Sequence, residues 1–91
     1  MATVVVTLKI MPGGTDVDLD TIKDKAVKLV SEFGGEVGKS IREPIAFGLV
    51  ALILMFIMDE SIGSTEELEK SISQLDDVSS CEVTDVRRAI V

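Results

Sequence analysis

The chain has 91 residues, 46% of them hydrophobic, and 9 lysines and arginines against 16 aspartates and glutamates give a formal net charge of −7. This describes one folded domain, residues 1–91, with a small core, and the acidic balance opposes a phosphate-backbone binder. No His is present, which removes His-based acid–base catalysis, Ser-His triads and His metal sites, and the single cysteine, Cys81, can neither close an internal disulfide nor build a zinc site.

The start, MATVVVTLKI, lacks the basic n-region and cleavage pattern of a signal peptide, so a cytoplasmic location is expected. Residues 3–11 alternate: Val4, Val6, Leu8 and Ile10 point one way, Thr3, Val5, Thr7 and Lys9 the other. This predicts a half-buried strand. Pro12-Gly13-Gly14 ends it as a turn, and no GK[ST] or GxGxxG follows to make a phosphate loop. Thr15-Asp16-Val17-Asp18 offers N-caps for a helix whose apolar face is Leu19, Ile22, Ala26, Leu29, Val30 and Phe33, ended by Gly34-Gly35. The aspartates Asp16, Asp18, Asp20 and Asp24 do not follow the calcium-loop pattern and read as caps and solvated surface.

Residues 36–45 form a weaker strand, with Val37 and Ile41 expected to face a core and Lys39 between them on the same side. Pro44 cannot donate a ladder hydrogen bond, which places this strand at a sheet edge. The run at 47–58, FGLVALILMFIM, carries no charge. With Ile45 and Ala46 it is still too short to cross a bilayer as a helix, which takes about 20 apolar residues. Its β-branched and aromatic content, and Gly48 near its start, favour a central strand covered by helices on one face. Ser61-Ile62-Gly63 is an exit loop, and Ser64 with Glu67 three residues on reads as a capping box. Leu68, Ile72 and Leu75 line a short second helix closed by Asp76-Asp77, and residues 78–91 make the last strand.

The order βαββαβ predicts an α+β fold of ferredoxin-like type: a four-stranded antiparallel sheet, order 4-1-3-2, with both helices on one face. The other face is then partly apolar and open to partners.

With this order in place, the sequence resembles the archaeal elongation factor 1-beta family over essentially its whole length. More distantly, it is similar to the C-terminal exchange domain of the eukaryotic counterpart. The resemblance rests on the MATVVVTLKIMP start, the PIAFGL segment at 44–49, the acidic Glu66-Glu67-Leu68-Glu69 helix start, and the close VSSCEVTDVRR at 78–88. It implies a guanine nucleotide exchange factor in translation that binds the GTPase elongation factor 1-alpha and speeds release of its GDP. No covalent chemistry, cofactor or metal of its own is implied, so the chain is not expected to be an enzyme. Neither nucleic acid nor membrane is an expected direct partner, and the free chain is expected to be a monomer. The partner-binding residues implied are Phe47 and Gly48, in the loop leading into the third strand, and Arg87 and Arg88. Arg88 stands where eukaryotic relatives carry a lysine near the partner's Mg²⁺, and arginine is a planar, permanently charged fork, not an equivalent of lysine. The residues alone also allow Phe47 as core and the arginines as a solvated tail.

A different class shares the order: ACT-like regulatory domains that dimerise and bind a small molecule such as an amino acid at the dimer interface, for which Gly13-Gly14 would be the ligand turn. An acylphosphatase-type enzyme would need an Arg in the first loop and an Asn, and an RNA-binding domain would need exposed aromatics and a basic face. Neither pattern is present.

Overall fold

A computed structural model describes residues 3–88. The last three residues of the expected final strand, Ala89-Ile90-Val91, lie outside the described residues. The elements run β1 (Thr3–Pro12), α1 (Leu19–Phe33), β2 (Glu36–Pro44), β3 (Val50–Asp59), a 3₁₀ turn (Glu60–Ile62), α2 (Glu66–Ser73) and β4 (Val78–Arg88). All strand pairs are antiparallel, and the sheet order β2-β3-β1-β4 is the expected order read from its other edge.

The alternation in β1 carries through. Val4, Val6, Leu8 and Ile10 are buried under the helices, while Thr3, Val5, Thr7 and Lys9 are half-buried on the open side. Leu52, Leu54, Phe56 and Met58 of β3 join the same core, met by Ile22, Ala26 and Val30 of α1 and by Leu68 and Ile72 of α2. The open face holds Ile53, Met55 and Ile57. The charge-free run thus hides a period of two, because both faces of β3 are apolar.

Helix α1 begins and ends as its sequence dictates. The Asp18 carboxylate accepts from the Asp20 amide at 3.0 Å and from the Thr21 hydroxyl at 3.1 Å. At the other end Gly34 adopts φ 107°, its amide donates to the Ser31 carbonyl and the Gly35 amide to the Val30 carbonyl. This is the paired bond pattern of a Schellman motif, in which only glycine sits without steric cost.

Two local expectations are corrected. Val37 and Ile41 do not share a face. The β2 register slips between Val37 and Lys39, so Gly38 is an extra residue; Val37 stays against the core beside Phe56, and Lys39 and Ile41 turn to the open face. One inserted residue in a strand of period two does this. Helix α2 also starts later than the Ser64–Glu67 box implies. The Ser64 hydroxyl accepts from the Glu66 amide at 3.1 Å, but the cap position is Thr65. Glu69, not Glu67, is the carboxylate that reaches out: it accepts from the Val83 amide at 3.1 Å and ties α2 to β4.

Candidate partner-binding site

The first implied contact is a hairpin turn. β2 and β3 are joined by residues 45–49, where the Leu49 amide donates to the Ala46 carbonyl and the Ile45 amide to the Leu49 carbonyl, both at 2.9 Å. The two central residues have positive φ, 55° at Phe47 and 80° at Gly48. That is the type I′ arrangement, whose twist matches that of the strands and which favours Asn-Gly. Gly48 meets this demand; Phe47 does not, since a bulky residue rarely occupies the left-handed region. The Phe47 side chain is 97% exposed. Of the two readings open to Phe47, core is therefore excluded: an apolar ring stands in solvent at the tip of a strained turn. Such outliers persist where the surroundings enforce them and cluster at functional positions.

The second contact is the end of β4. Arg88 lies opposite Val4 on the helix-covered face, and Arg87 lies opposite Val5 on the open face. Each guanidinium is held by a carboxylate. Arg87 Nε donates to Asp85 Oδ2 at 2.8 Å, and an Arg88 terminal nitrogen donates to Glu60 Oε1 at 2.6 Å. The hydrogen bond to Glu60 and its charge hold Arg88 even more firmly in its charged form. Glu60 itself is placed by the 3₁₀ turn after β3, which the Asp59 carboxylate caps by accepting from the Ser61 amide at 2.9 Å. That bond lowers the Asp59 pKa. The partners of the arginines were not legible in the sequence for the same physical reason. Glu60 is 28 residues from Arg88 and meets it only because Met58 and Arg88 both pair with Val4. Asp85, two positions from Arg87 on one strand, is the one that period-two spacing could have revealed.

The structure does not bring the two contacts together. Phe47 and Gly48 precede Val50, at one end of β3; Arg88 is level with Met58 at the other. Eight strand steps separate those levels, roughly 27 Å at about 3.3 Å per residue. The molecule measures 42 Å along its long axis. Among the described residues no group of three or more His, Cys, Asp or Glu could hold a metal ion. No helix among them is long and apolar enough to cross a membrane.

Residues 5–89 match the EF-1 guanine nucleotide exchange domain. The chain belongs to this family. Elongation factor 1-beta of Methanobrevibacter smithii is 49% identical over 88 residues, spanning 97% of this chain and 98% of that protein. The protein of the same name from Methanothermobacter thermautotrophicus is 48% identical over the same shares. That of Staphylothermus marinus is 43% identical over 97% of this chain and 98% of its own. Solved structures show the fold alone. The C-terminal domain of the MgtC protein from Mycobacterium tuberculosis covers 98% of this chain, and is itself 88% covered, at TM-score 0.61 and 12% identity. The de novo designed protein Foldit4 aligns over 98% of both chains at TM-score 0.63 and 20% identity. The exchange domain therefore acts in nucleotide exchange during translation elongation. Within one chain the space beside Gly14, at the turn an ACT-like reading would use at a dimer interface, is about 60 Å³. That is room for a couple of waters at about 30 Å³ each, and far below a ligand pocket.

Proposed function

We propose that this exchange domain accelerates GDP release from elongation factor 1-alpha by gripping it at two places, with Phe47 and Gly48 at one end and Arg87 and Arg88 at the other. The observation that carries this reading is the 97% exposure of Phe47 on a turn that holds it at φ 55°. A buried phenylalanine side chain contributes about 1.5–3 kcal/mol, so a ring displayed in solvent is stored binding energy. Close approach of the partner's surface to the backbone is eased at Gly48, which carries no side chain. At the other end Arg88 offers a planar fork suited to a carboxylate or a phosphate. Its pairing with Glu60 is at the surface, so exchanging that carboxylate for one on the GTPase costs little.

The chemistry is differential binding. GDP and its Mg²⁺, which belong to the GTPase, are held by contacts that must loosen before the nucleotide leaves. A protein that binds the loosened state better shifts the equilibrium by that difference in affinity and by no more. About 1.4 kcal/mol of such preference at the barrier is tenfold in release rate.

The test is release of a fluorescent GDP from archaeal elongation factor 1-alpha in excess unlabelled nucleotide. Catalytic amounts of the chain should speed release. Phe47→Ala should raise the concentration needed, and Arg88→Ala should lower the maximal rate. Because the two side chains lie at opposite ends of the sheet and do not touch, their effects should multiply in the double variant. No acceleration at excess chain, from a GTPase that responds to a chelator, would overturn the reading.

A further inference from the structure

We propose that the uncovered face of the sheet is a self-association surface whose occupant is a second copy of this chain. Residues directly opposite across antiparallel strands share a face. On the open side one row reads Glu36, Ile57, Val5, Arg87 from β2 to β4, and the next reads Lys39, Met55, Thr7, Asp85. The middle of both rows is largely apolar, and Ile57 there is 42% exposed; Ile41, at the β2 edge of the next row, is 40% exposed. The four ends are charged, and the signs alternate both along each edge and across the sheet. On β2 an acid is followed by a base; at the same levels on β4 a base is followed by an acid.

A second copy turned by 180° about an axis in the face, parallel to the strands, sets Glu36 over the other copy's Arg87 and Lys39 over its Asp85. The apolar centres then meet. This is the self-complementarity that a twofold interface requires. No uniformly charged partner fits: an acidic one is opposed at Glu36 and Asp85, a basic one at Lys39 and Arg87. The adjoining row, Ile41, Ile53, Lys9, Glu82, adds no ion pair between copies: it sets Lys9 over the other copy's Ile53 and Glu82 over its Ile41, and the two charges have only each other across the strands, which weakens the contact. From strand spacing the face measures roughly 20 by 27 Å. That is at the small end of specific interfaces. A net charge of −7 on each copy also opposes association. The dimer is therefore weak, and the chain is a monomer when dilute.

The proposal does not rest on nucleotide exchange, and its test needs no GTPase. Sedimentation equilibrium over a concentration series at physiological ionic strength should show the mass rise from 9.8 kDa toward twice that value. Lys39→Glu, or Asp85→Lys at the opposite edge, should weaken association at least tenfold, with circular dichroism unchanged. Inverting all four charges together, Glu36→Lys, Lys39→Glu, Asp85→Lys and Arg87→Glu, should restore self-association while abolishing mixing with the wild-type chain. A constant monomer mass, wild-type association by either single variant, or free mixing of the inverted chain with wild type overturns the proposal.

Discussion

Replacing Phe47 by asparagine should make the protein more stable and a poorer exchange factor. The turn asks for left-handed backbone at two successive positions, and Phe47 satisfies this at φ 55°. For an ordinary L-residue that conformation costs about 1–2 kcal/mol, because Cβ crowds the carbonyl oxygen. Asparagine escapes most of it and, with Gly48 following, forms the pair that type I′ hairpins favour. Little is lost in exchange: the ring is 97% exposed and buries almost no surface. The net gain is about 1 kcal/mol, which in a domain of this size raises Tm by roughly 4–8 °C. Thermal unfolding followed by far-ultraviolet circular dichroism reads it directly. Nucleotide release assayed on the same preparation should need more of the variant to reach half-maximal acceleration. A Tm that falls or stays level in Phe47→Asn would refute the strain argument. A stabilised variant with undiminished exchange would show that the ring is not a contact.

Gly35→Ala should destabilise by about 1–3 kcal/mol, as overpacking of a filled core does: its Cβ would stand 2.9 Å from both the Phe56 ring and a Val30 methyl. Urea unfolding with an unchanged midpoint would contradict that packing. Burial, with Glu69 and Glu82 nearby, pushes the Cys81 thiol up to about 12. Alkylation by iodoacetamide at pH 8 should therefore be slow in the folded chain and become ordinary once it is unfolded. The sign of the linkage follows. The raised value adds stability that is fully present below the unfolded thiol's pKa and is lost as pH climbs toward 12. Cys81→Ala should flatten the fall of the urea midpoint over that interval, and an equal slope in both chains would count against the burial argument.

The order of elements was legible because punctuation and periodicity agree. Pro12, Gly34-Gly35, Pro44 and Ser64 each stand near an observed boundary, and the alternation of β1 survives into its burial pattern residue by residue. What failed has particular causes. In Glu36-Val37-Gly38-Lys39 the one sign of an extra residue is Gly38, since a glycine inside a strand often marks a bulge, and that extra residue moves Lys39 and Ile41 to the other face. The run at 47–58 reads as one strand from its apolarity, yet its first three residues belong to the hairpin connection. The signal for that connection is Gly48, which argues mildly against a helix and is also half of a type I′ turn. At α2 the expected box does not form, because the cap position is Thr65 and not Ser64, and Glu67 makes no capping bond. The half-buried Val83 amide on β4 takes its partner from α2 instead, the Glu69 carboxylate, a tertiary contact with no local sequence signal.

The two ends of the candidate site share a scaffold, and that sharing bears on how they could act together. β3 is hydrogen-bonded on both sides, to β2 and to β1. It begins directly after the turn that displays Phe47 and ends directly before Glu60, which holds Arg88. One central strand thus fixes the position of the aromatic tip and, through β1, whose Val4 pairs with both Met58 and Arg88, of the backbone that carries the guanidinium at the far end. A partner gripped at both points meets a strut of fixed length, so motion of the GTPase between those points is resisted by the sheet and not absorbed by a loop. The apolar character of β3 on both faces follows from the same role. One face anchors the strand in the core with Leu52, Leu54, Phe56 and Met58. The other, with Ile53, Met55 and Ile57, is left for a surface that can be covered and uncovered. Arg87 lies on that second face, so a copy seated there would occupy one of the two arginines and leave Arg88 and Phe47 free.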